Sequence, residues 1–194
     1  MVAIIDYKCG NLQSVKNALE RLGAEYVVTA REEVIRKADR VILPGVGSAA
    51  TAMESLLQTG LCDTIRSLRR PVLGICVGMQ IMCRWSEEGN TECLGIFDSK
   101  VKKFIPCEGV KVPHMGWNRI SNLESKLFKD IKGGAYVYYV HSYYPELCPD
   151  TIATTVHGKM FSGALKYENF YGTQFHPEKS GDIGEQIIKN FLAL

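Results

Sequence analysis

Leu73-Gly74-Ile75-Cys76-Val77-Gly78-Met79-Gln80 combines the features of a strand-to-helix turn with a reactive side chain. The apolar run from Pro71 to Ile75 is short enough for a buried strand, and the residues that follow predict a helix through Trp85. Cys76 has a glycine two residues away on either side, and glycine permits a tight turn with close helix packing. This G-x-C-x-G spacing is that of a nucleophile elbow with a thiol as the nucleophile. The alternative is an inert core thiol, because free cysteine is often buried.

The segments before the elbow alternate between strand and helix patterns. Val2 to Ile5, Tyr26 to Val28 and Arg40 to Leu43 are short apolar runs typical of buried strands. Helical patterns separate them, the first with Asn11 as its cap and the second at residues 32–37. The alternation predicts an α/β fold whose open mixed, mainly parallel sheet is flanked by helices on both faces.

The C-terminal half predicts a smaller antiparallel section. Its expected strands share short alternating patterns and comprise residues 136–144, 152–156, 160–166 and 170–175. Residues 112–118 are expected to form a loop, and Asp182 is expected to cap the last helix. Because no repeat or linker interrupts the chain, we expect one domain over residues 1–194.

Composition argues against several classes of function. A net charge of +2 without a basic arm gives no support for a nucleic-acid partner. The seven cysteines are scattered without a C-x-x-C pair, which argues against a disulfide framework and a zinc site and favours a reducing compartment. The start of the chain lacks a signal-peptide pattern, and no stretch approaches ~18 apolar residues. We therefore expect a cytoplasmic protein without a membrane partner.

A second glycine-rich turn, at residues 45–50, follows the third predicted strand. It formally matches the dinucleotide fingerprint G-x-G-x-x-A, but that fingerprint belongs to the first βα turn and needs an acidic strand end ~20 residues later. Asp63, the nearest candidate, does not end a strand. Backbone N–H groups of this loop can instead face a developing negative charge. The sequence thus predicts neither a cofactor nor a metal.

A cysteine that attacks a carbonyl needs a base and a group that orients the base. His176 and Glu178 follow the last apolar strand, and side chains two residues apart on an extended backbone project to the same side. Pro177 favours that extended conformation for His176. A solvated strand end is the alternative for an isolated His-Pro-Glu, but beside the elbow we favour a catalytic pair. The other histidines are interpreted as a loop or interface residue (His114), a strand residue (His141) and a turn residue (His157).

These segments together resemble the class I, triad-type glutamine amidotransferases. The resemblance rests on Pro44-Gly45-Val46-Gly47, on the Gly74–Gln80 elbow and on Gln174-Phe175-His176-Pro177-Glu178. Within that family the similarity is closer to the glutaminase subunits of imidazole glycerol phosphate synthase. The segments that carry this finer similarity are residues 5–7, 10–12, 14–15, 44–47, 113–118 and 176–180. Lys8 and Val77 stand where the family usually has glycine and leucine, and neither belongs to the triad.

The resemblance implies a glutaminase with a Cys76, His176 and Glu178 triad, which forms a thioester and releases glutamate and ammonia. It also implies two further sets of residues. The oxyanion hole is expected from Val46, Gly47 and Val77, and the substrate contacts from Gln80, Ser142 and Tyr143. Gln80 is also one helical turn beyond Cys76 and so on its face of the helix, although an amide on the helix surface is the alternative.

The resemblance further implies a partner. Free ammonia becomes ammonium in water, and this chain lacks the length of a (β/α)₈ synthase domain. A separate cyclase subunit is therefore expected, forming a heterodimer that makes imidazole glycerol phosphate and aminoimidazole carboxamide ribotide in histidine biosynthesis. The expected interface residues are Asn11, Trp117, Tyr136 and Lys179.

Two alternatives remain open at this point. One is another triad glutaminase, such as the type that feeds pyridoxal phosphate synthesis, against which Gln80 and the Trp117 motif argue. The other is a catalytically silent regulatory subunit with the same fold, which the intact triad makes the weaker hypothesis.

Overall fold

The computed structural model describes residues 1–8 and 11–194 of the chain. Gly10, which belongs to one of the motifs quoted above, and Cys9 lie outside the described residues. The strands are β1 (Val2–Ile5), β2 (Tyr26–Thr29), β3 (Arg40–Gly45), β4 (Val72–Cys76), β5 (Trp85–Ser86), β6 (Thr91–Glu92), β7 (Lys100–Lys103), β8 (His114–Arg119), β9 (Tyr136–His141), β10 (Tyr143–Pro145), β11 (Thr151–His157), β12 (Lys159–Tyr167) and β13 (Phe170–Thr173). The α-helices are α1 (Leu12–Arg21), α2 (Glu32–Lys37), α3 (Ala49–Thr59), α4 (Cys62–Arg66), α5 (Val77–Gln80) and α6 (Gly181–Leu192).

Seven strands form one sheet in the order β11-β12-β13-β4-β3-β1-β2. The five strands from β13 to β2 pair parallel with one another, whereas β12 pairs antiparallel with both β11 and β13. Every residue of β1 and β4 is buried, as expected where helices cover a parallel sheet. The predicted mixed, mainly parallel sheet with an antiparallel C-terminal section is confirmed.

The strand order reverses at β1, which lies between β2 and β3. Because crossovers between parallel strands are right-handed, this reversal places α1 and α2 on opposite faces of the sheet. Helix α1 packs against α6, and α3 packs against α5. Asn11 caps α1 as predicted, since its side chain accepts a hydrogen bond from the Ser14 N–H. None of the described helices combines the length and the apolar character needed to cross a membrane.

The helix after Cys76 is shorter than predicted, since α5 ends at Gln80 and Trp85 belongs to β5. The backbone hydrogen bonds explain the difference. Carbonyls of residues 81–83 accept hydrogen bonds from N–H groups of residues 94–97, so they cannot continue a helix. The expected Asp182 cap is also wrong, because Ser180 occupies the N-cap position and Asp182 lies within the first turn of α6.

Two smaller sheets complete the fold, one with the order β10-β7-β5-β6 and the other formed by β8 and β9. The loop expected at residues 112–118 is wrong from His114 onward, because these residues form β8. This strand buries His114 and exposes Met115 and Trp117. That arrangement inverts the usual pattern of apolar residues inside and polar residues outside, and so conceals the strand in the sequence.

Candidate active site

Cys76 joins β4 to α5 with φ of 54° and ψ of −112°. A positive φ is uncommon for a residue with a side chain and costs free energy. The packing of the turn requires glycine on both sides. A Cβ atom on Gly78 would lie 1.9 Å from the Leu43 carbonyl oxygen, and one on Gly74 would lie 2.6 Å from Met82 Sδ. The turn therefore has the strained, closely packed backbone of a nucleophile elbow.

His176 reaches the same edge of the sheet because β13 runs parallel to β4, with Thr173 opposite Ile75. His176 Nδ1 lies 2.8 Å from Glu178 Oε1, so the two side chains meet as the sequence predicts. Their backbone differs from the expectation. His176 is extended, but residues 177–179 form a turn of 3₁₀-helix rather than a continued strand.

The electrostatic environment of His176 favours the imidazolium. Burial by itself lowers the pKa of His176, but the charge of the Cys76 sulfur and the hydrogen bond to the Glu178 carboxylate outweigh it and raise the pKa to about 10. Nε2 of His176 makes no hydrogen bond with any described residue, so we attribute the influence of Cys76 to charge. The arrangement supports an imidazolium at His176 beside the Cys76 sulfur.

A cavity of about 300 Å³ opens onto Cys76 and His176. The predicted oxyanion and substrate residues all line it, namely Val46, Gly47, Val77, Gln80, Ser142 and Tyr143. Lys179, expected at the partner interface, lines it as well. The structure thus brings together residues from six separate segments of the chain, at residues 46–47, 76–80, 88, 113, 140–143 and 176–179.

Two side chains near Cys76 were missed in the sequence. Glu88 lines the cavity, and its carboxylate accepts a hydrogen bond of 2.7 Å from the Ala49 N–H at the start of α3. Gln174 donates from Nε2 to Cys76 Sγ over 3.7 Å. In the sequence Glu88 follows another glutamate, a pattern typical of solvated surface charges. Gln174 belongs to the quoted motif, but no pattern in the sequence indicates which residue it contacts.

The expected interface residues divide into two groups. Trp117 and Tyr136 are 55% and 48% exposed on the β8–β9 sheet. The same sheet contributes to the cavity, because Val140 of β9 lines it. Asn11 instead lies next to the triad, because it lines a small crevice together with His176 and Glu178. Within residues 1–8 and 11–194, no group of three or more histidine, cysteine or acidic side chains is placed to hold a metal ion.

The family model for glutamine amidotransferase class-I matches residues 3–194. The chain belongs to this family. Such amidotransferases include curated relatives that align over the whole of this chain. This chain is 58% identical to the imidazole glycerol phosphate synthase subunit HisH of Bacteroides fragilis and 54% identical to that of Bacteroides thetaiotaomicron, with 99% of each relative covered. The HisH subunit of Pectobacterium atrosepticum is 47% identical over 195 aligned residues, again with 99% covered. The resemblance to these glutaminase subunits is thereby confirmed.

Solved structures support the same fold for this amidotransferase. A structure described as a glutamine amidotransferase superposes with a TM-score of 0.76 at 18% identity, covering 100% of this chain and 98% of the other. The structure of PurLQS from Thermotoga maritima gives a TM-score of 0.71 at 18% identity, with 99% and 97% covered. At such identities the likeness establishes the architecture alone.

Proposed function

We propose that this chain, as a single domain, is the glutaminase subunit of imidazole glycerol phosphate synthase. It hydrolyses glutamine to glutamate and ammonia and supplies the ammonia to a cyclase subunit. The observation that carries the proposal is the placement of Cys76, on a strained elbow, at one cavity with the buried His176–Glu178 pair. The high identity to HisH subunits over the whole chain supports the choice of pathway.

The reaction begins when the Cys76 thiolate attacks the side-chain carbonyl carbon of glutamine. A C–S bond forms and the carbonyl oxygen becomes an oxyanion, which backbone N–H groups of Val46, Gly47 and Val77 stabilise. The His176 imidazolium then gives its proton to the leaving nitrogen as the C–N bond breaks. Ammonia departs and a glutamyl thioester remains on Cys76.

Water completes the cycle. Neutral His176 takes a proton from the attacking water, and collapse of the second tetrahedral intermediate breaks the C–S bond. Glutamate leaves and the thiolate–imidazolium pair is restored. The Glu178 carboxylate accepts a hydrogen bond from His176 Nδ1–H, which orients the ring and stabilises the imidazolium. Because Nδ1 is occupied in this way, Nε2 is the nitrogen that transfers the proton.

The cavity also contains groups suited to the amino-acid end of the substrate. Glu88 is an acidic cavity residue outside the triad, and its carboxylate suits the substrate α-ammonium group. Gln80 Nε2 donates both of its hydrogen bonds within the protein, one to the Tyr143 carbonyl oxygen and one to Gln174 Oε1. Its role in binding substrate therefore falls to Oε1, an acceptor. Ser142 and Tyr143 supply the remaining predicted contacts at the cavity wall.

The exposed β8–β9 sheet is the proposed docking surface for the cyclase. Met115, Trp117 and Tyr136 expose large side chains there, and exposed aromatic residues beside a reactive site suit a protein interface. Asn11 and Lys179 complete the proposed contact region. Delivery across this surface keeps ammonia from protonation in bulk water, and we place the assembly in the cytoplasm.

A Cys76→Ala variant in complex with the cyclase tests this function. We expect loss of glutamine-dependent synthesis and retention of synthesis from added ammonia, because the cyclase site is untouched. Cys107→Ala, which removes an exposed free thiol, serves as the matched control and should retain both activities. Full glutamine-dependent activity of Cys76→Ala would refute the proposal, and loss of both activities would assign Cys76 a structural role.

A further inference from the structure

The Tyr143 carbonyl oxygen sets the orientation of two side chains. It lies 2.7 Å from His141 Nδ1 and 2.9 Å from Gln80 Nε2. A carbonyl oxygen only accepts hydrogen bonds, so both partners must be donors. His141 therefore carries its proton on Nδ1, and the Gln80 amide turns its NH₂ group toward Tyr143.

The order of donors continues from His141 to the β8 strand. Burial lowers the pKa of His141 to about 3 and that of His114 to about 4, so both rings are neutral at pH 7. With its proton on Nδ1, His141 accepts at Nε2 from His114 Nδ1 over 2.9 Å. His114 Nε2 in turn accepts from Asn118 Nδ2 at 3.1 Å. The Asn118 NH₂ also donates to Val156 O, which requires the same orientation of that amide.

From the Tyr143 carbonyl the series of hydrogen bonds also runs in the other direction, through Gln80 to the nucleophile. The second N–H of Gln80 Nε2 donates to Gln174 Oε1 over 2.9 Å, with both side chains buried. Gln174 must therefore turn its NH₂ group away from Gln80. That group points at Cys76 Sγ, 3.7 Å away. Every hydrogen bond from Asn118 to the sulfur agrees with a single assignment of protons.

We propose that Gln174 is a further catalytic residue, which donates a hydrogen bond to the Cys76 thiolate, and that Gln80, the Tyr143 carbonyl and the two histidines hold its amide in that orientation. The proposal rests on the proposed function in that Cys76 is the nucleophile. The Val140 carbonyl oxygen also lies near the sulfur, 3.9 Å away. A carbonyl accepts from the thiol but repels the thiolate, whereas the Gln174 donor favours deprotonation.

The pH dependence of Cys76 alkylation in the full-length chain tests this role. Iodoacetamide reacts with the thiolate, and peptide mass spectrometry separates Cys76 from the other six cysteines. In Gln174→Met, which keeps the length of the side chain without its donor, we expect the alkylation midpoint to rise by about one pH unit, roughly a tenfold smaller thiolate fraction. The other ionisable groups around the sulfur are His176 with Glu178, His141, Glu88 and Lys179, and all are unchanged in this variant.

Three further variants separate this role from a structural one. Thr173→Val, at the neighbouring fully buried position, should leave the midpoint unchanged. Gln174→Glu can still accept from Gln80 but presents an oxygen to the sulfur, so its midpoint should rise further than that of Gln174→Met. His114→Phe interrupts the series of hydrogen bonds at a position far from Cys76, so the alkylation midpoint should rise by less. Thermal unfolding checks that this variant is folded.

Unchanged midpoints in both Gln174 variants would overturn the proposal, and an equal rise in Thr173→Val would do the same. An unchanged midpoint in His114→Phe would show that the two histidines do not help to orient the Gln174 amide. Because alkylation needs neither glutamine nor a partner, these results are independent of whether Cys76→Ala loses glutamine-dependent activity.

Discussion

His176 Nδ1 lies 2.8 Å from Glu178 Oε1, and the two side chains are 2% and 1% exposed. A hydrogen bond between a buried carboxylate and an imidazolium is strong, because water does not compete with it. The contact also commits Nδ1 to Glu178 and leaves Nε2 as the nitrogen available for chemistry. Glu178 thus contributes both the orientation and the charge state of the base.

Replacing Glu178 with glutamine should lower kcat for glutamine hydrolysis by at least about 100-fold, because the imidazolium loses its counter-charge. Since Glu178 raises the pKa of His176, its removal should also move the alkaline limb of the kcat profile to lower pH. Steady-state kinetics of the complex between pH 6 and 10 measure both effects. Glu185→Gln, on the exposed side of α6, is the control and should behave as the wild type. An unchanged alkaline limb would contradict the assigned role.

Replacing Gly78 with alanine should destabilise the chain by about 3 kcal/mol or more, because the new Cβ would overlap the Leu43 carbonyl oxygen and the backbone cannot yield cheaply. Urea unfolding followed by circular dichroism measures the difference. Gly133→Ala is the matched control, since a Cβ there has no atom within 4 Å. Equal stability of the two variants would show that the elbow tolerates a side chain.

The neutral histidines His114 and His141 should make the chain sensitive to acid. Their pKa values are lowered to about 4 and about 3, so below pH 6.5 the unfolded chain binds protons that the folded chain does not. Stability therefore falls as pH falls, by about 2 kcal/mol for each histidine between pH 7 and pH 5. Urea unfolding at these two pH values measures the loss.

A His114→Phe variant should show a smaller loss of stability over that range. Phe104→Leu is the control, because Phe104 packs against both histidine rings without titrating. It should lower stability by a similar amount at both pH values. If wild type and His114→Phe lose the same free energy of unfolding, the acid sensitivity has another origin.

Replacing Trp117 with alanine should weaken binding of the cyclase about tenfold or more, since large aromatic side chains dominate many interfaces. The melting temperature of the free chain should not change, because Trp117 is 55% exposed there. Isothermal titration with the purified cyclase gives the Kd. Leu57→Ala, at a 63% exposed position on α3, controls for loss of exposed apolar surface. The same Kd for both variants would place the interface elsewhere.

The sequence predicts those parts of the fold and site that depend on local patterns. Short apolar runs identify β1 and β4, because parallel strands are buried on both faces. The glycines around Cys76 indicate the elbow, since their spacing reflects the close approach of α5 to β3. His176 and Glu178 could be paired because they are only two residues apart. Each of these inferences needs a single segment of the chain.

The features that escaped prediction depend on contacts between distant segments. The early end of α5 follows from hydrogen bonds that residues 94–97 make to residues 81–83. The role inferred for Gln174 depends on Gln80, which is 94 positions away. His114 belongs to a strand that conceals its own pattern, and its bond to His141 spans 27 positions. No periodicity reports such partners, because they are set by tertiary packing.

Strand β13 lies in the interior of the large sheet, between β12 and β4, although it follows every other described strand in the sequence. Its insertion places His176 beside Cys76, which precedes it by 100 positions. During synthesis the elbow strand emerges from the ribosome well before its base. A nascent chain can therefore release no ammonia until β13 has joined the sheet, so hydrolysis begins only after the segment that carries His176 has been made and folded onto β4.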